Sequence, residues 1–289
     1  MGVRIVTDSS SDIPRAVADE LGITIIPLTI AFGDQSYRDG IDLTADEFYR
    51  RLGAEKQLPT TSQPPPALFE HAYEHLVTQG EVVSVHLSHK FSGTVETARS
   101  VAARVASDRI TVVDSGSASM GLGLCAIAAA RAARDGGDRK ACVAAAELVA
   151  GRLQIAVAFE TLEYLRRGGR IGRARAFVGG LLRLKPILTV KDGEAHPVTR
   201  VRSRTKALDE LFSLCTRFDT PTDVVVLHTT TPDDAAALVQ RAREALPAAT
   251  VYEGRFGPVL GVHGGPGMIG LCVVEGESAG EGKAGSTEP

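Results

Sequence analysis

With 289 residues, 44% of them hydrophobic and 23% charged, the chain has the composition of a soluble globular protein and the length for two domains. It carries no apolar run of membrane-spanning length, and Asp8 cuts short any N-terminal signal region, so a cytoplasmic protein is expected. The formal charge is −3, yet residues 166–206 hold twelve Lys and Arg against Asp192 and Glu194, a local balance of +10. Such a segment is either a surface for an anionic partner or phosphate, or simply a solvated basic face. With 5% aromatics, no Trp and an acidic remainder, nucleic acid is not the expected partner.

Residues 4–7 form a β-branched run, predicted as a strand that ends in Asp8-Ser9-Ser10-Ser11-Asp12. Pro14 then opens an amphipathic helix with Val17 and Leu21 inward, and Ser11 or Asp12 suits its N-cap. A hydroxyl-rich turn at a strand's carboxyl end is also where open α/β sheets bind ligands, so capping and binding both stay open here. No G-x-G-x-x-G or Walker-type loop occurs in the chain. Residues 23–32 are predicted as the next strand, and 44–52 as a helix capped by Thr44 with Glu47 at capping-box spacing. Prolines at 59 and 64–66 stiffen the backbone around Thr61 and Ser62. Those hydroxyls are held either to cap a helix predicted at 67–79 or to bind a ligand.

A third strand over 82–87 leads into a second hydroxyl-rich turn, residues 88–94, ahead of a helix that reaches about residue 105. Free N–H groups at a helix start accept anions, which makes Ser92-Gly93-Thr94 the stronger anion-site candidate. A strand at 110–114 and helices at 120–134 and 139–153 follow. This alternation argues for a mostly parallel sheet with right-handed crossovers. The four cysteines, at 125, 142, 215 and 272, lie singly in apolar runs with neither C-x-x-C spacing nor nearby histidines, and read as buried filler.

A strand over 154–159 enters a short apolar helix marked by Leu162 and Leu165. It breaks at Gly168 and Gly169 and leaves Arg170 on a backbone that Gly can bend and other residues cannot. Residues 186–190 and 195–201 read as a hairpin around Asp192-Gly193. A helix over 206–218, a strand over 224–229, a helix over 232–246 and a strand over 250–253 come next. Glycines at 257, 261, 264, 265 and 267 and prolines at 258 and 266 then surround His263. A lone histidine is commonly a satisfied core residue, but this one is stripped of bulky neighbours, so backbone or ligand can approach it. A last strand is predicted over 269–274, with a disordered Gly, Ser and Glu-rich tail behind it.

Six short motifs, T-S-Q-P at 61–64, F-S-G-T at 91–94, V-D-S at 113–115, L-x-x-G-G-R-I-G at 165–172, K-P-I-L at 185–188 and H-x-G-P-G at 263–267, appear in one order and spacing. Through them the chain resembles the DegV family from residue 3 to about 275. The resemblance implies two α/β domains with a lipid site between them, the N-terminal one with a mostly parallel sheet and the C-terminal one with a mixed sheet. The divisions expected are 1–158, 159–275 and a tail over 276–289. It further implies a long-chain fatty acid as bound ligand, with no other cofactor and no metal, and a carboxylate held by Thr61, Ser62, Ser92 and His263. Arg170 and Arg202 match positions implicated in docking or phosphoryl transfer. The partner implied is a separate fatty acid kinase catalytic subunit, dihydroxyacetone kinase-like, which makes acyl phosphate for phospholipid synthesis. Since no carboxylate pair, metal cluster or phosphate loop in the sequence supplies the rest of a kinase, the chain reads as a substrate-presenting subunit and not itself an enzyme; a monomer with at most transient membrane contact is expected. Two departures from the family pattern, His89-Lys90 and Gly264-Gly265, bear on the head-group pocket or on docking.

The chemistry agrees with such a carrier. About 15 apolar carbons at roughly 0.8 kcal/mol each give on the order of 12 kcal/mol of gross drive before binding costs. Affinity therefore comes from the tail, while hydroxyls and one imidazole orient the head and leave a carboxylate oxygen free to attack a γ-phosphate. Arginines just outside the pocket would meet the transferring group. The competing expectation is a stand-alone acyl hydrolase or transferase with Ser92 as nucleophile and His263 as base, although no G-x-S-x-G elbow surrounds Ser92.

Overall fold

The alternation of apolar strands with helices builds the first half of the molecule. A computed structural model describes residues 2–55, 57–177 and 184–276; the expected tail therefore lies almost entirely outside the described residues. Val3–Asp8 (β1), Ile23–Ile26 (β2), Glu81–His86 (β6) and Ile110–Asp114 (β7) form a four-stranded parallel sheet in the order β2-β1-β6-β7. Five of the six residues of β6 are buried, the pattern of a strand covered on both faces. Val6 and Val82 point toward Pro66–Val77 (α3) and Thr94–Ala106 (α4), where Phe69 and Tyr73 fill the layer. Ile5, Val83 and Val85 point to the other side, toward Met120–Arg134 (α5) and Arg139–Arg152 (α6). Arg15–Leu21 (α1) begins after Pro14 with no side-chain cap, so neither Ser11 nor Asp12 serves there.

The strand expected over 23–32 is two strands. Pro27 offers no N–H, and the chain turns after β2 so that the Leu28 N–H donates to the Ser9 hydroxyl oxygen at 3.0 Å. Thr29–Phe32 (β3) then pairs with Gln35–Arg38 (β4) and Thr60–Ser62 (β5) in a small antiparallel sheet, against which Ala45–Ala54 (α2) packs. Thr44 caps α2 through the Glu47 N–H, as its spacing predicts.

Leu153–Ala158 (β8) does not close the first half. It pairs with the strand Ile269–Glu275 (β13) and with Lys185–Lys191 (β9), at the centre of a second, six-stranded mixed sheet. Glu194–Val201 (β10), Pro221–His228 (β11) and Thr250–Arg255 (β12) complete it, in the order β10-β9-β8-β13-β11-β12, with β11 and β12 the parallel pair. Arg204–Cys215 (α8) and Pro232–Ala245 (α9) cover one face. Glu163–Arg167 (α7) follows β8, and Pro258–Gly264 (α10) occupies the glycine- and proline-rich run around His263, where no helix is predicted. Pro258 stands at the first helical position, where a missing N–H costs nothing, and burial of Val259 and Val262 holds the helix despite its glycines.

The open face of the second sheet meets the first half through α5, which packs against Ile155 and Cys272 as well as against Val83 and Val85. Two glycines let this helix lie that close. A Cβ at Gly121 would stand 2.7 Å from Ile155 Cδ1 and 2.8 Å from Leu153 Cδ2; one at Gly123 would stand 2.7 Å from the Ser11 carbonyl oxygen. Replacing an exposed helical Gly by Ala ordinarily gains up to about 1 kcal/mol. Here Gly121→Ala is expected to destabilise by about 1–3 kcal/mol, because strand side chains must shift. Denaturant unfolding checks this, and a rise in stability would contradict the tight helix–sheet contact.

Candidate functional site

Between the two halves lies a cavity of about 1030 Å³, its open mouth included, walled by apolar residues of the second sheet (Ile155, Val157, Leu188, Leu271, Cys272) and by Leu87, Phe91 and Phe256. Thr61, Ser62, Ser92, Arg170 and His263 all face it. Five of the six residues singled out in the sequence thus converge, from β5, the turn before α4, the turn after α7 and the last turn of α10. Arg202 stands apart, exposed just ahead of Ser203, the cap of α8, with no hydrogen bond or ion pair to a described residue.

Thr61 and Ser62 are not helix caps. They belong to β5, paired with Ile30 and Thr29, and α3 starts at a Pro65 cap with no side-chain bond. Thr61 Oγ1 lies 2.8 Å from His263 Nε2. His263 Nδ1 is buried without a partner. A buried orphan N–H is rarer than an orphan acceptor, so the proton belongs on Nε2, which donates to Thr61 and frees the threonine hydroxyl to donate into the cavity. Burial first, and the nearby Arg170 charge second, lower the His263 pKa from 6.5 to about 4. The imidazole is neutral at physiological pH.

The two glycines of the G-G-R motif have separate reasons. Gly169, at φ +73°, is the left-handed residue of a Schellman motif that ends α7: its N–H reaches the Arg166 carbonyl at 3.2 Å, and the Arg170 N–H reaches the Leu165 carbonyl at 3.0 Å. Gly168 is a matter of space, since a Cβ there would stand 2.3 Å from His263 Nδ1. The motif thereby turns Arg170 inward. Its Nε donates to the Phe91 carbonyl at 3.0 Å and its Nη1 to the Gly168 carbonyl at 2.6 Å, leaving Nη2 without a described protein partner. Arg170, expected just outside the pocket, is one of its walls. Next to Phe91, Ser92 Oγ lies 2.9 Å from Thr94 Oγ1.

Ser92 has no hydrogen bond to His263 among the described residues; Nε2 is engaged with Thr61 and Nδ1 is shut in by Gly168. Among the described residues the pair expected for a hydrolase is not assembled, and no acidic group orients the imidazole. The cluster is instead an array of donors beside an apolar chamber. The basic segment is also smaller than its sequence suggests. Arg166 and Arg167 pair with Glu163, Arg173 with Glu194, Lys185 with Glu160, and Arg204 with Asp234 and Glu160, while Arg200 lies over the Phe177 ring. Among the described residues, the side chains of Arg175, Lys191, Arg202 and Lys206 are left as solvent-facing cations.

Sequence reasoning missed Gln63, Ser10 and Ser119 as cavity residues. Ser10 had a signal, the hydroxyl-rich turn after β1. It both lines the cavity and belongs to a turn capped by Asp8, which accepts from the Ser10 N–H and hydroxyl. Among the described residues, no helix is long and apolar enough to cross a membrane.

Residues 2–276 match the family described as "Uncharacterised protein, DegV family". The chain is 39% identical over 277 residues to a DegV domain-containing protein of Streptomyces coelicolor, covering 94% of this chain and 98% of that one. Its fold is similar to a DegV family protein from Thermus thermophilus described for fatty acid binding, with a TM-score of 0.89, 34% identity and coverage of 95% and 100%. It is also similar to a stearic acid-binding protein from Eubacterium ventriosum, with a TM-score of 0.87, 27% identity and coverage of 94% and 98%.

Two outcomes follow from the geometry. An NMR titration should find the His263 imidazole neutral down to about pH 5, with its midpoint near 4; a midpoint at or above 6.5 would contradict the buried, Arg170-flanked placement. Protonation is avoided in the folded state, so His263 adds stability in full above pH 6.5, and that share is lost as pH falls toward 4. Gly168→Ala should displace the imidazole from Thr61, visible as a changed His263 resonance in a protein that still folds; an unchanged resonance would show that the contact has slack.

Proposed function

The chain belongs to the DegV family, and from that premise and the cavity we propose that it carries a long-chain fatty acid and presents its carboxyl group to a separate kinase subunit. The acyl chain fills the apolar chamber, and Thr61, Ser62, Ser92 and the Arg170 Nη2 donate to the carboxylate. His263 acts through Thr61, fixing the direction of its hydroxyl. One observation supports this reading above the others: among the described residues, neutral donors and a single arginine gather beside an otherwise apolar cavity, without a nucleophile–base pair. A buried carboxylate requires that pattern.

The charge balance fits the anionic form. His263 stays neutral, so Arg170 supplies the positive charge. Because two of its N–H groups are already spent on carbonyls, Arg170 cannot clamp both carboxylate oxygens through its whole fork, and one oxygen keeps a lone pair for a phosphoryl acceptor role. Ser62 is exposed, which sets the head near the mouth, where a partner's ATP has access. Arg202, exposed and uncommitted, is the docking or transfer residue in this reading, and the partner, a dihydroxyacetone kinase-like subunit, brings the ATP whose γ-phosphoryl passes to the carboxylate oxygen held in this chain, giving acyl phosphate and ADP.

The two arginines separate by experiment. Arg170→Ala should weaken binding of a C16 fatty acid by about tenfold or more, the effect of losing a charged hydrogen bond. Arg202→Ala should leave that affinity within about twofold and slow acyl phosphate formation once a kinase subunit is supplied. Calorimetric titration and an acyl phosphate assay check both. Full transfer by Arg202→Ala would remove it from the docking role, and unchanged affinity in Arg170→Ala would take the arginine off the carboxylate.

A further inference from the structure

We propose that Asp12, a residue of the N-terminal half, is the positioning residue that sets where His263 stands, by holding the start of α10 from across the molecule. The inference rests on the reading of the cavity as a carboxylate site. Helix α10 has only seven residues and no cap of its own: Gly257 has no side chain and Pro258 no N–H. The Gly257 N–H is instead accepted by Asp12 Oδ1 at 2.9 Å, from 245 residues away. The preceding carbonyl, that of Phe256, accepts from the Tyr49 hydroxyl at 2.8 Å. Both handles on the helix start therefore belong to the N-terminal half, whereas the helix end carries the imidazole that meets Thr61.

The handle is built tightly. Asp12 sits at φ 54° and Ser119 at φ 53°, left-handed conformations that side chains rarely adopt, and the Ser119 hydroxyl donates to Asp12 Oδ2 at 2.5 Å. Ser119 also lines the cavity. A Cβ on Gly257 would stand 2.7 Å from Asp12 Oδ1, so the glycine is what lets the carboxyl reach the helix. From Gly257 to His263 the helix rises roughly 9 Å at 1.5 Å per residue, and a rigid rod of that length passes a displacement at its start to the imidazole at its end. Hydrogen bonds weaken steeply with misalignment, so the Thr61 contact reports that displacement.

The carboxyl's charge is not what the helix uses. Burial raises the Asp12 pKa well above its usual value, opposed by the Ser119 and Gly257 bonds and reinforced by Asp39 and Asp8. An amide of the same shape keeps an acceptor for the Gly257 N–H, and its NH2 can donate to the Ser119 oxygen once that hydroxyl turns from donor to acceptor. Asp12→Asn therefore restores function, and Asp12→Ala does not.

The test measures binding of a C16 fatty acid and of the C16 alcohol, which shares the chain and lacks the carboxylate, together with the His263 resonance in unliganded protein. Asp12→Ala should lower fatty acid affinity about tenfold with alcohol affinity held within twofold. It should also move the imidazole midpoint from near 4 toward 6.5. Gly257→Ala, which pushes the same contact apart, should do likewise, and keeps the test open should Asp12→Ala fail to fold. Asp12→Asn should match the parent. An unchanged acid-to-alcohol ratio and imidazole midpoint in Asp12→Ala or Gly257→Ala overturns the inference, as does a loss in Asp12→Asn equal to that in Asp12→Ala. A parent protein that binds neither ligand would sink the carboxylate reading instead, and the imidazole midpoint would still decide the role of Asp12.

Discussion

The hydrogen bond between Thr61 and His263 joins residues 202 positions apart, and the arrangement of the cavity depends on it. A polar ring beside an apolar chamber is stable only if its strongest donor is satisfied. The partner that satisfies it lies in the small antiparallel sheet of the first half, while the ring rides on a helix of the second. Neither half alone contains the site. The contact also decides the chemistry: with Nε2 engaged by a threonine and Nδ1 shut in by Gly168, the imidazole orients a hydroxyl and cannot serve Ser92 as a base.

That bond needs the two halves in close register, and the register comes from backbone approach more than from side-chain filling. Helix α5 is shared by both sheets because Gly121 and Gly123 present no side chain to Ile155 and to the Ser11 carbonyl. A further tie is at the hairpin between β9 and β10, where the Gly193 carbonyl takes the Ser88 hydroxyl at 2.7 Å. A Cβ on Gly193 would fall 2.5 Å from that same oxygen. Glycines at such joints give up helix or strand propensity, and the apolar surface buried between the halves offsets that loss.

Much of this was legible in the sequence. Strand and helix succession, the Thr44 cap, the break at Gly168 and Gly169, and the hairpin at Asp192-Gly193 all follow from local patterns that local structure obeys. What failed was whatever depends on a distant partner. Helix α10 is hidden by five nearby glycines, whose propensity is outweighed by the burial of Val259 and Val262 and by bonds to its start from Asp12 and Tyr49. Strand β8 looks like the last of its half because sequence shows a strand but not its neighbours, which are β9 and β13. For the site, residue identities were readable and directions were not. Arg170 points into the cavity because a Schellman motif aims it there, whereas Arg202, on a similar basic background, faces solvent. Asp12 looked like a local cap, and its partner is Gly257 in the other half.

A cavity whose described residues give apolar walls, neutral hydroxyl donors, a neutral histidine and one arginine suits an amphiphile with a single anionic head better than it suits a nucleotide, a sugar or a metal-bound substrate. In the proposed carrier, chain burial would supply affinity and the head cluster orientation, a division that would let it hold its cargo while keeping one carboxylate oxygen accessible. Native mass spectrometry of the purified protein, with organic extraction and identification of what is released, tests this most directly. The account predicts one long-chain fatty acid per chain; a protein that is empty as isolated and stays empty after incubation with a panel of such acids would contradict it.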